Sequence, residues 1–228
     1  MSKQACSLLP GVFGILMQGL LLCCACAVLV FKKVTETRRR SWLSFLLDAS
    51  KQLAGAGWIH AMNLLFAVEL HRILRAGDPC LWYWLHIIVD TTAGVAVEYG
   101  LLELLMICLR RCLGPAADEF GAGRYYEDVQ GVCEFRWHRY AKQLALWLFV
   151  VSLMKLAMVG LLVALSRPLL GLGQLVLARL DGSPKAKLAV VMIVTPLIMN
   201  SFQLWLVDAF LREKKDAGRE GAPCAGVE

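Results

Sequence analysis

The stretch GVFGILMQGLLLCCACAVLVF, residues 11–31, lies in a segment with no charged side chain between Lys3 and Lys32. As a helix it is about 30 Å long, at 1.5 Å of rise per residue, which matches the hydrocarbon core of a bilayer. A basic flank follows at once: Lys32, Lys33, Arg38, Arg39 and Arg40. Such a flank resists translocation, and Lys3 alone is a weak basic region ahead of the apolar run. The stretch therefore reads as an uncleaved membrane span rather than a signal peptide.

Outward from it, four more apolar runs of spanning length follow, at residues 42–68, 81–109, 141–165 and 188–210. Apolar residues make up 58% of the 228, more than a water-soluble surface can hide. The expected fold is all-α, a polytopic integral membrane helical bundle of about five transmembrane helices. It occupies residues 1–211, and residues 212–228 form a short cytosolic tail. Gly77-Asp78-Pro79 is a turn signal between the second and third spans. Pro196, inside the fifth, frees a backbone carbonyl and kinks the helix. The apolar segment from Leu169 to Leu180 is too short to span and reads as a lumenal interfacial helix or a re-entrant piece. Phe135-Arg136-Trp137-His138-Arg139-Tyr140 mixes aromatic and basic side chains, as residues at a headgroup boundary do.

The formal net charge is +6, but its basic residues flank apolar runs, so it points to lipid headgroups and not to nucleic acid. Fifteen Lys and Arg fall on the side of the first-to-second connection and the C-terminus, and seven on the other. Lys51 and Lys155 lie inside spans. The richer side is expected in the cytosol, which leaves the N-terminus lumenal. The nine cysteines are not expected to form a disulfide framework. Cys23, Cys24 and Cys26 are small hydrophobes in an apolar run. Cys108 and Cys112, at a boundary beside Arg110 and Arg111, read either as free thiols or as palmitoylation sites.

Charge inside a span is costly and needs a partner or water. The second span carries Asp48, Lys51, Gln52, His60 and Asn63. Asp48, Gln52 and Asn63 fall on one helical stripe, and Asp48 and Lys51, three residues apart, share a face. In the third span Asp90 and Glu98 are two helical turns apart. Lys155 lies deep in the fourth, and Asp90 and Glu98 are its first candidate partners. The fifth carries Asn200, expected to meet the carbonyl freed by Pro196, and Asp208 near the cytosolic end. Arg212, Lys214 and Lys215 follow at the membrane surface. Two readings stay open for the intramembrane cluster: locks between helices, or a transporter or ion pathway. No catalytic, cofactor-binding or metal-ligating pattern occurs: the histidines lack ligand spacing, and there is no phosphate loop or nucleophile elbow. No cofactor and no enzymatic activity are expected. Gly-xxx-Gly is absent from the spans, so no oligomer is specified by that motif.

Some residues carry a resemblance. Leu47-Asp48-Ala49-Ser50-Lys51-Gln52, Ile59-His60 and Asn63 resemble the second span of the STIMATE family. The similarity continues at Asp78-Pro79-Cys80, Asp90, Thr92, Gly94, Gln143 and Lys155. It resumes at Lys187 through Met192, Pro196, Asn200, Trp205, Val207-Asp208 and Phe210-Leu211. The resemblance implies an endoplasmic reticulum protein at junctions with the plasma membrane. Its partner there would be the STIM calcium sensor, which gates a plasma-membrane calcium channel in store-operated entry. Fungal vacuolar membrane proteins are related to this family.

Overall fold

A computed structural model describes residues 11–35, 42–121, 125–129 and 132–203. Among these, five helical segments are long and apolar enough to cross a membrane. Helix α1 spans Gly11–Val34 and α2 Trp42–Leu74. The third crossing is one continuous helix in three parts: α3 (Pro79–Val89), a π-helical turn (Asp90–Gly94) and α4 (Val95–Leu113). The fourth is α5, Trp137–Ala164. After α6 (Ser166–Leu177), the short α7 (Pro184–Ala189) opens the fifth crossing, which passes through a second π-helical turn at Val190–Val194 and continues as helix to residue 203.

Helix α3 is the hub. Asp78 caps its start by accepting from the Leu81 amide at 2.8 Å, and Pro79 occupies the first turn, where no N–H is needed. Cys80, Leu81, Trp82, Tyr83, Leu85, His86, Ile87 and Val89 are all buried. A helix this apolar all round is stable only when surrounded, and α2, α5, α6 and the Val190–Val194 turn pack on it. The apolar side chains left outside, among them Leu20, Phe31, Leu65, Leu104, Phe149 and Ile198, face the direction lipid would occupy.

Helices α2 and α5 run parallel, shown by contacts at a nearly constant offset. Ser50 Oγ meets the Tyr140 hydroxyl at 2.7 Å, Lys51 donates to Gln143 Oε1 at 3.0 Å, and Trp58 Nε1 donates to Ser152 Oγ at 2.9 Å. Between these rungs lies Gly55, where a Cβ would stand 2.3 Å from Trp147 Nε1. The indole ring occupies the volume a side chain would need, so the two helices approach closely at that point.

Two features depart from the sequence reading, a hairpin and a disulfide, and a third specifies a segment it left open. The connection after α4 holds a two-stranded antiparallel hairpin, β1 (Tyr126–Val129) with β2 (Val132–Phe135). Its Phe135 packs edge-on against Trp137 at 5.0 Å, and Arg139 meets Glu127 at 2.9 Å. The 169–180 segment is largely the helix α6, laid against α3 with Gly173 over Leu81. Cys80 is disulfide-bonded, whereas Cys23, Cys24, Cys26, Cys108 and Cys112 are free thiols. Cys80 opens a span at its boundary rather than filling an apolar run, a difference that a reading of cysteines as hydrophobes passes over.

The Gly55 approach predicts a sharp contrast between neighbours. Gly55→Leu is expected to destabilise the bundle by about 1–3 kcal/mol through overpacking. Gly57→Leu, at a glycine with open space around it, should be near neutral. Thermal midpoints of the two variants in detergent compare them directly.

Candidate functional site

Lys155 reaches the hub from α5 and is fully buried. Its Nζ donates to Asp90 Oδ2 at 2.7 Å and meets His86 Nδ1 at 2.9 Å. His86 and Asp90 are four residues apart on one helical face, so one ammonium bridges both. With Nδ1 accepting from the ammonium, the imidazole proton sits on Nε2. Asn63, buried on α2, lies beside the Asp90 carboxylate. Asp90 is about 16 Å along the helix from Pro79, at 1.5 Å per residue, so the cluster is far from either end of the span.

The backbone is adapted to this cluster. The π-helical turn begins at Asp90 itself. The Thr91 and Thr92 hydroxyls donate to the carbonyls of Ile87 and Ile88 at 2.7 and 2.6 Å, in the region where the α ladder is interrupted. Gly94 closes the turn against Met154, whose Sδ would lie 3.0 Å from an added Cβ. π turns of this kind occur frequently at functional sites. Three atoms around the ion pair are buried with no hydrogen-bond partner among the described residues: Asp90 Oδ1, His86 Nε2 and Asn63 Oδ1.

The other polar residues of the spans gather elsewhere. Toward the hairpin end, Lys51 stands 3.4 Å from Asp48, and Asp48 also accepts from the Tyr125 hydroxyl. Lys51 lies 4.7 Å from the centre of the Tyr125 ring. Gln143, which accepts from Lys51, donates to the Glu119 carbonyl at 3.2 Å, and Lys142 binds the Glu119 carboxylate at 2.5 Å. At the opposite end Lys187 bridges Asp78 at 2.6 Å and Asp181 at 2.8 Å, tying the start of the fifth crossing to the α2–α3 turn. His60 Nδ1 meets the Tyr83 hydroxyl at 2.9 Å.

Of the residues singled out from the sequence, Lys155, Asp90 and Asn63 come together, and Asp48 pairs with Lys51. Glu98 is half-buried and makes no ion pair with a described residue. Gln52 is exposed, although it shares a helical stripe with the buried Gly55 and Asn63. Asn200 is exposed too. The π-helical turn before Pro196 adjusts the ladder there, with the Thr195 amide donating to the Val190 carbonyl. Asp208, Arg212, Lys214 and Lys215 lie outside the described residues. Sequence reasoning missed His86 as a partner of Lys155, although its four-residue spacing from Asp90 is a signal. It also missed the Lys187–Asp78 link, which no spacing announces. Among the described residues no group of His, Cys, Asp and Glu could hold a metal ion.

Residues 80–213 match the STIMATE family, from the first turn of the hub helix through the fifth crossing. The chain belongs to the STIMATE family. It is also similar to a vacuolar membrane protein of Saccharomyces cerevisiae. The two are 27% identical over 223 residues, which cover 92% of this chain and 80% of the yeast protein. No solved structure matches it. This STIMATE-family chain is thus a multi-pass membrane protein whose matched region contains His86, Asp90 and Lys155.

Lys155→Met leaves the Asp90 carboxylate buried and unpaired, and should cost about 3–5 kcal/mol of stability. Combining it with Asp90→Asn removes both charges and should lose less than Lys155→Met alone. Detergent melting curves of the single and double variants would check the order.

Proposed function

We propose that this chain is a non-enzymatic regulator of store-operated calcium entry, resident in the endoplasmic reticulum membrane. It acts on the STIM calcium sensor at junctions with the plasma membrane, and through it on the plasma-membrane calcium channel. The observation that carries this reading is family membership across residues 80–213. The local chemistry suits it: Lys51 is closed onto Asp48 of its own helix, and Lys155 and Lys187 onto Asp90 and Asp78 of the hub helix and its cap. Such an arrangement favours a scaffold that holds its shape. Regulation of this kind needs only unequal binding. A scaffold that binds the active sensor tenfold more tightly than the resting one biases it by about 1.4 kcal/mol. In this reading the N-terminus is lumenal and the C-terminus cytosolic. Arg212, Lys214 and Lys215 then lie against anionic headgroups, each adding about 1 kcal/mol near the surface.

Deleting the chain should reduce cytosolic calcium entry after store depletion, and restoring it should return the entry. Unchanged entry in cells without a substituting relative would overturn the reading. Replacing Arg212, Lys214 and Lys215 together with alanine should lower enrichment at the junctions, seen by fluorescence microscopy.

One observation favours a second reading, a small transporter or ion pathway: the buried atoms of Asp90, His86 and Asn63 that find no partner among the described residues. Glu98 separates the two readings, because it lies on the same helix and makes no ion pair with a described residue. Glu98→Gln should leave folding and calcium entry unchanged in a scaffold. A pathway through Asp90 and Glu98 would instead lose ion flux in proteoliposomes.

A further inference from the structure

Helix α6 (Ser166–Leu177) is too short to cross the membrane, and both its ends lie on one membrane face. It starts just after Ala164, where α5 ends. Helix α5 runs parallel to α2, so it ends on the face where α2 turns into α3. Just past the other end of α6, Asp181 shares Lys187 with Asp78, the cap of α3. The helix is about 18 Å long, at 1.5 Å per residue. A single helix of that length with both ends at one level lies along the membrane face instead of dipping in and returning.

Its side chains divide into three groups. Leu169, Leu170, Gly173 and Leu177 face the bundle. Gly173 lies so close to α3 that a Cβ there would stand 2.6 Å from Leu81 Cδ1. Pro168, Leu172, Leu175 and Val176 point away from the bundle, the last three 55%, 77% and 52% exposed. Arg167, Gly171 and Gln174 are exposed too, but they are polar or lack a side chain. At about 100° per residue, the centres of the three groups stand roughly 120° apart around the helix. A helix between protein and water needs only an apolar and a polar face. One immersed in hydrocarbon has no use for a polar face. Three faces fit a boundary at which protein, acyl chains and water meet.

We propose that α6 lies in the plane of the membrane, on the face where α3 begins, and is a docking surface for the lipid leaflet. Leu172, Leu175 and Val176 enter the acyl chains, while Gly171 and Gln174 face water. Lipid is the occupant because the ridge is continuous with Val163 and Leu165, exposed apolar residues where the fourth crossing ends. Arg167, in the first turn of α6, and Arg179, just beyond its last, are exposed and make no ion pair with a described residue. Headgroup phosphates supply their counter-charge. Because α6 rests on Leu81 through Gly173, its seat in the leaflet holds the first turns of the hub helix at headgroup depth.

This inference rests on the multi-pass reading and needs neither an orientation nor a link to STIM. The test is spin-label accessibility in the full chain, reconstituted in phosphatidylcholine liposomes. p-Acetylphenylalanine replaces Gly171, Leu172, Gln174, Leu175 and Val176 in turn, and each variant takes a ketoxime nitroxide that leaves the cysteines untouched. All five positions are exposed, so the bundle has room for the label. Relaxation by oxygen, which concentrates among acyl chains, should exceed relaxation by an aqueous nickel chelate several-fold at 172, 175 and 176. The order should reverse at 171 and 174. Oxygen dominating at all five positions would put the helix inside the hydrocarbon, and nickel dominating at all five would put it clear of the membrane. Either result overturns the in-plane placement. Low access to both reagents at 172, 175 and 176 would mean that protein, from this chain or a second copy, covers the ridge, and would overturn the lipid assignment. A diazirine residue replacing Leu175 in the cell's own membrane should capture lipid on illumination, and a protein adduct in its place would overturn that assignment too. Calcium entry enters none of these readouts, so failure here is distinct from failure of the regulator reading.

Discussion

An ammonium group with no access to water must be neutralised where it stands, and Lys155 imposes that condition on the centre of the bundle. Its partner set is drawn from the hub helix, Asp90 and His86 on one face, with Asn63 of α2 beside them. Removing two opposite charges from water costs several kcal/mol per ion, recovered only when geometry is good and the remaining polar atoms are satisfied. The bundle meets the first requirement at 2.7 Å. The second is met incompletely, since Asp90 Oδ1 and His86 Nε2 find no protein partner among the described residues. A purely apolar core would avoid this cost. Retaining the pair specifies which faces of α3 and α5 meet, because any rotation of either helix would strand a charge.

The same logic repeats at both ends with less burial. Lys51 with Asp48 and Gln143 fixes α2 against α5 near the hairpin. Lys187 with Asp78 and Asp181 fixes the fifth crossing against the α2–α3 turn. In a bilayer, apolar contact distinguishes poorly between one helix face and another, since lipid tails are as apolar as leucine. Polar pairs and close approaches such as Gly55 with Trp147 supply the discrimination that hydrophobic burial supplies in water.

Two π-helical turns interrupt the crossings, one at Asp90–Gly94 and one at Val190–Val194. The second precedes Pro196, which has no N–H to give to the ladder, and the widened turn accommodates that gap. The first has no proline to explain it. It coincides with the charged residue that Lys155 requires, and the threonine hydroxyls bond to backbone carbonyls around it.

Length, apolarity and flanking charge are local properties, so the sequence by itself determined that five stretches have the character to cross a membrane. The second span's Asp48 and Lys51 are three residues apart, and helical geometry alone places them on one face. The residues that resemble the STIMATE family were legible in the same way, as an ordered pattern along the chain. What lay beyond the sequence was everything that depends on which helices are neighbours. Asp90 and Glu98 looked equivalent as partners for Lys155. Packing of α3 against α5 selected Asp90, because it stands at the contact and Glu98 lies two turns beyond it. Gln52 shares a helical stripe with Asp48, Gly55 and Asn63, yet Gly55 and Asn63 are buried while Gln52 is exposed. The Lys187–Asp78 link joins residues 109 apart. Helical periodicity assigns a residue to a face, but only the tertiary arrangement decides what that face meets.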